Sequence, residues 1–168
     1  MNISKFKLMI ILLGGVYSSF AVSNVKENTA SVTFHGTLIV VECNVNGGKR
    51  QIIDFGDAVG VHRINGSNYE QTVPFSLECH NYAGGNMPRM SLEAVATPTS
   101  FNESAIATDV SGLGIEIRNN GKPIKLNTAI DINYDNQPIL TAVPVADPSV
   151  ELEAKPFTAT VKLTVEIP

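Results

Sequence analysis

Apolar and polar residues alternate along most of this chain with a period of two. The longest run is "FTATVKLTVEI", where Phe157, Ala159, Val161, Leu163, Val165 and Ile167 are separated by Thr158, Thr160, Lys162, Thr164 and Glu166. This pattern predicts a β-strand with one face in a core and the other in water. Such a strand needs a neighbour on each edge, or a device that blunts the exposed edge. "SVTFHGTLIVV" predicts a second long strand, with Val32, Phe34, Gly36, Leu38 and Val40 on one face. "QIIDFG" and "TVPFSLEC" are short β-rich runs bounded by Gly, Asn and Asp, and "MSLEAVA" alternates Met90, Leu92 and, less cleanly, Ala94 and Ala96.

"GLGIEIRNNGKPIKLN" predicts a hairpin: Leu113, Ile115 and Ile117 alternate, Asn119-Asn120-Gly121 can supply positive φ, and Ile124 and Leu126 resume the pattern. "PILTAVPVAD" predicts a strand at an edge or a bend, because Pro138, Pro144 and Pro148 interrupt it. Residues 100–111 and 129–137 read as loops or short turns. No stretch joins a helical period to helix caps. Short strands with frequent Gly and Pro predict a single all-β domain, an antiparallel β-sandwich.

The leading residues belong to a different kind of segment. Lys5 and Lys7 precede the apolar run "LMIILLGGV", and small residues follow at Ser19 and Ala21. This is the form of a secretory signal cleaved after Ala21, too short to span a bilayer. Removing its two lysines leaves ten basic against sixteen acidic residues, a net charge of −6. An acidic chain without a basic cluster argues against nucleic acid and anionic membranes as partners. Export also decides the reading of Cys43 and Cys79, the two cysteines of the chain. In an oxidising compartment they read as one disulfide, and their spacing fits no zinc motif.

Candidate chemistry is thin. His35, His62 and His80 lie in unrelated segments and read as surface residues, so no metal site is expected. There is no nucleophile elbow, and "GLG" at Gly112–Gly114 lacks the following helix that a phosphate cradle needs. It reads as a bend before a strand. Trp is absent and aromatics make up 7% of the chain, a poor supply of sugar-stacking platforms. The triplets at Asn65 and Asn102 match the N-glycosylation pattern and read as exposed loops. No enzyme and no cofactor are expected.

Three stretches together carry a resemblance: "VTFHGTLIVVEC", then "IIDFGDAV" with "TVPFSLEC", and "GLGIEI" followed by the terminal "FTATVKLTVEIP". In order and spacing the chain resembles a pilus subunit of the chaperone–usher family, the type 1 and P pilus kind. The resemblance implies an incomplete immunoglobulin-like β-sandwich that lacks its final strand and is completed by a donor strand from another subunit. It implies a division into a signal peptide (1–21), an N-terminal extension that is the donor strand (22–42) and a pilin domain (43–168). Val32, Phe34, Gly36, Leu38 and Val40 would enter a neighbour's groove, with Gly36 as the small residue the groove demands. Phe157, Ala159, Val161, Leu163, Val165 and Ile167 would line the acceptor groove and contact the chaperone. The implied partners are a periplasmic pilus chaperone, an outer-membrane usher and neighbouring pilus subunits, and the implied destination is the cell-surface fimbrium. Within the pilus the hairpin stretch resembles minor tip or adaptor subunits. Ile167 stands where the family commonly has a penultimate aromatic, and Pro156 where it often has Gly. The alternative is a carbohydrate-binding adhesin domain at the pilus tip.

Overall fold

A computed structural model describes residues 29–81 and 89–167. The expected signal peptide, residues 22–28 of the expected extension and Pro168 lie outside the described residues. The chain divides into two units, Met1–Thr37 and Leu38–Pro168. In the first, residues 29–37 form neither helix nor strand. The second contains ten strands and, among the described residues, no α-helix.

The strands are β1 (Glu42–Val45), β2 (Gln71–Val73), β3 (Leu77–His80), β4 (Met90–Val95), β5 (Ala105–Ala107), β6 (Leu113–Asn119), β7 (Lys122–Pro123), β8 (Ile130–Ile132), β9 (Leu140–Ala146) and β10 (Lys162–Glu166). They form a five-stranded sheet in the order β2-β9-β6-β5, with β7 also on β6, a three-stranded sheet β10-β4-β8, and the pair β1-β3. Every pairing is antiparallel. Leu92 and Ala94 of β4 face Ile115 and Ile117 of β6 and Leu140 and Ala142 of β9 in one apolar cluster. This is the all-β sandwich that period-two alternation dictates.

The "RNNGK" turn forms as its residues require. Asn120 and Gly121 both take positive φ (50° and 76°), and Asn119 pairs with Lys122 across them. Gly114 is needed for close approach, because a Cβ there would stand 2.7 Å from Cγ2 of Thr99 and 3.0 Å from Cβ of Ala105. β1 and β3 are stapled by the Cys43–Cys79 disulfide, whose two residues are register partners.

Several expectations need correction. "TVPFSLEC" is two strands, because Pro74 has no N–H for a ladder, and β2 joins β9 while β3 joins β1. β9 is not an edge strand; it lies between β2 and β6. Its Pro144 is tolerated because β2 pairs only with Leu140–Ala142, so that side of Pro144 has no ladder bond to lose. β5 and β8 fall inside the segments read as loops. Each has three residues, too few to show a period, and each is made by its partner: β6 for β5, β4 for β8. Of the eleven alternating residues from Phe157, only Lys162–Glu166 form ladder bonds, because β4 ends its pairing at Val95. "SVTFHGTLIVV" and "QIIDFG" form no strand, although both have the composition for one, since no strand is paired with either.

Gly114→Ala should destabilise the domain by about 1–3 kcal/mol, the usual cost of overpacking a tight site. Chemical denaturation of the two proteins, with the change read in the midpoint at constant slope, checks this.

Candidate functional site

Among the described residues β10 is the edge of its sheet, paired to β4 alone. Beyond its free edge the sandwich is open. A groove of about 1390 Å³ runs between residues 157–165 on one side and the segment from Gln51 through Ile64 on the other. Its floor includes Val73, Ile106, Ile115, Ile117 and Ala142, which are also members of the central apolar cluster. The groove therefore reaches down to the central core, whose floor residues are buried while the inward apolar residues of its walls are half-buried.

Alternation explains the walls. On β10 and the residues before it, Phe157, Val161, Leu163 and Val165 turn inward and pack against the core cluster while remaining half-buried. Ile167 is half-buried as well, whereas Ala159 is exposed. Thr158, Lys162 and Glu166 face water. On the opposite wall Ile53 and Phe55 turn inward, and Ile52 points out at 86% exposure. The rings of Phe55 and Phe157 meet with centroids 5.9 Å apart, joining the two walls. A hydrogen bond from the Thr158 N–H to Asp109 Oδ1, 2.7 Å long, fixes the chain just beyond Phe157.

The other sequence-derived residues form a separate set. Val32 and Phe34 are exposed, and so are Leu38 and Val40. Gly36 has no heavy atom within 4 Å of where a Cβ would stand. Near the root of this segment Asn81 Nδ2 donates to the Val40 carbonyl at 3.2 Å, next to the disulfide at Cys43. His62 sits in a short 3₁₀ turn and His80 on β3. Asn65 is exposed, as read from sequence. Asn102 is not a free loop residue: it is half-buried, and its Nδ2 donates to Glu116 Oε2 at 2.8 Å.

Sequence reasoning missed the groove wall formed by Val59, Val61 and Ile64. These residues lie in a loop with no period, and the one available signal was three β-branched residues spaced through a turn-rich stretch.

An apolar groove that reaches the core beside an edge strand fits an immunoglobulin-like sandwich of the pilin type, and comparison with known proteins agrees. The fimbrial protein family matches residues 32–167. The fimbrial-like proteins YfcQ and YfcR of Escherichia coli K12 are relatives. YfcQ is 38% identical over 139 residues, covering 80% of this chain and 85% of YfcQ. YfcR is 30% identical over 128 residues, covering 74% of this chain and 72% of YfcR. The fold is shared with the P pilus adaptor subunit PapF, at a TM-score of 0.56 and 18% identity over 75% of this chain and 95% of that one. It is shared equally with the P pilus rod subunit PapA, at a TM-score of 0.56 and 18% identity over 82% of this chain and all of that one. The chain belongs to the fimbrial protein family; it is a structural pilus subunit and not an enzyme.

An open apolar groove should bind the dye ANS, as exposed hydrophobic surface does. Val161→Glu puts a charge on the wall but leaves the β10–β4 ladder intact. It should lower the dye fluorescence about twofold or more, while the melting temperature moves by only a few degrees.

Proposed function

We propose that the groove beside β10 accepts a strand from a neighbouring subunit, and that Val32–Val40 is the strand this subunit donates in turn. The observation that carries the reading is the groove itself: a cleft walled by the half-buried Phe157, Val161, Leu163 and Val165 reaches the central core beside a strand that, among the described residues, is paired on one edge only. An inserted strand would satisfy both at once, giving backbone partners to β10 and apolar cover to the half-buried Phe157, Val161, Leu163 and Val165. Val32, Phe34, Leu38 and Val40 have the alternation and the exposure to supply that cover. Burying Phe34, Leu38 and Val40 contributes roughly 5–9 kcal/mol at 1.5–3 kcal/mol per side chain. Backbone pairing adds about 0.5–1.5 kcal/mol per net hydrogen bond, and ordering the donor opposes both.

A donor on one subunit and a groove on the next make a head-to-tail contact, which grows into a filament. Before assembly the same groove would be covered by a periplasmic chaperone, with delivery to an outer-membrane usher, as the resemblance to chaperone–usher subunits implies. Residues Phe157, Val161, Leu163, Val165 and Ile167 would meet either occupant. Assembly at the cell surface then supports adhesion through the pilus as a whole.

The test is the exported chain, residues 22–168, melted with and without a peptide of residues Ser31–Val41. Capture should raise the melting temperature by roughly 10 °C or more, given about 2–4 °C per kcal/mol for a chain of this size. A peptide carrying Gly36→Leu should give almost none of that rise. A chain indifferent to both peptides would show the groove to be no strand acceptor.

A further inference from the structure

One wall of the groove is held from the far side of the sheet. Val61 and Ile64 face the groove, but the loop that carries them is tied to groups that do not. Along β6, Ile115 and Ile117 line the groove, so Glu116 and Arg118 stand on the opposite face. There Arg118 Nη2 donates to the Gly66 carbonyl at 2.7 Å. The same guanidinium pairs with Glu116 Oε1 through Nε at 2.8 Å and Nη2 at 2.7 Å. Glu116 is buried, and its other oxygen accepts from Asn102, so it is a fixed anchor.

The rest of the loop is equally constrained. The Gly60 N–H donates to the Tyr69 hydroxyl at 3.0 Å, and the Arg63 guanidinium lies 5.7 Å from the centre of the Tyr69 ring. Tyr69 has a φ of +65°, a conformation a bulky L-residue holds only when its surroundings impose it. Asn68 Nδ2 donates to the Arg63 carbonyl at 2.8 Å, and Asn65 Oδ1 accepts from the Ser67 and Asn68 N–H groups. The loop is thus a strap that shows apolar side chains to the groove and a clamped backbone to the outer face.

We infer that Arg118 is a positioning residue for strand capture: by tying Gly66 to the buried Glu116, it sets where Val61 and Ile64 stand at the groove. The inference rests on reading the groove as a strand acceptor. Arg118 is not among the groove-lining residues, so its effect on an occupant runs through the strap alone. The planar guanidinium fork reaches the carboxylate and the carbonyl together, which a lysine ammonium on its flexible stem does less well.

The experiment measures release of a fluorescent Ser31–Val41 peptide from the exported chain, together with amide exchange of Val61–Ile64. Arg118→Met should speed release by about tenfold and raise exchange in that segment, since changes within one interface act mainly on dissociation. Arg118→Lys should fall between Met and wild type. Tyr69→Phe removes only the hydroxyl that accepts from Gly60 and should speed release by about threefold; if Arg118→Met does not fold, Arg118→Lys decides the matter for Arg118 itself. Met90→Ala destabilises the fully buried core away from the strap and should leave release unchanged. Wild-type release rates in the strap variants, with the wild-type chain capturing peptide, would overturn this inference and leave strand acceptance standing. A wild-type chain that captures no peptide would overturn strand acceptance itself, and this inference with it.

Discussion

Edge pairing is the constraint on which the rest of this structure depends. A β-strand carries a donor and an acceptor at every residue, and a buried or half-buried strand cannot leave them unmatched without cost. β10 meets that demand on one side only, through β4. On its other side lies the groove, and Gln51–Phe55 beyond the groove has strand composition without a ladder partner. Neither segment forms a ladder with the other, although the rings of Phe55 and Phe157 meet across the groove. Water at the free edge hydrates the backbone, but it is a poor cover for the half-buried Phe157, Val161, Leu163 and Val165. A bound strand of alternating character answers both deficits, which is why the edge and the apolar wall are best understood together.

The disulfide fits the same logic. It closes a loop with a sequence separation of 36. In the chain-entropy model such a closure is worth roughly 4 kcal/mol. A sandwich whose groove walls stay half-buried forgoes part of its hydrophobic stabilisation, and a covalent constraint on β1 and β3 offsets some of that. Its position also matters. Cys43 follows directly on the exposed Leu38–Val40 segment, and Asn81 holds the Val40 carbonyl beside it. In the proposed filament, tension along the donor would therefore enter the domain at a covalently held point.

What could be seen in the sequence was whatever a strand writes into its own residues. β4, β6 and the β6–β7 turn were legible because Met90, Leu92, Ile115 and Ile117 alternate and Asn120-Gly121 can take positive φ. The disulfide was legible from two cysteines behind a segment with the form of a secretory signal. β5 and β8 were not, because "AIA" and "IDI" become strands only by lying along β6 and β4. The central position of β9 was hidden for the same reason: whether Pro144 is tolerable depends on where β2 stops. Of the groove, the β10 wall was legible by its period. The wall formed by Val59, Val61 and Ile64 was not, since what places it is a hydrogen-bonded loop and not a repeating pattern.

That loop also bears on how an open core keeps its shape. Apolar packing is non-directional, and side chains with water on one side have little to hold them in a single arrangement. Directional bonds have to do it. Here they lie on the outer face, where Asn102, Glu116, Arg118 and the Gly66 carbonyl form a connected set, and Glu70 accepts from Thr141 at 2.6 Å close by. Glu116 would be a liability if it were buried alone. Paired with Arg118 and Asn102, it becomes a fixed point against which the loop is registered. The polar network thus stands where it competes with no apolar occupant of the groove, and it can stay intact whether the groove is open or filled. On this view the two faces of the five-stranded sheet divide the labour: the inner face supplies affinity, and the outer face supplies the geometry that the affinity depends on.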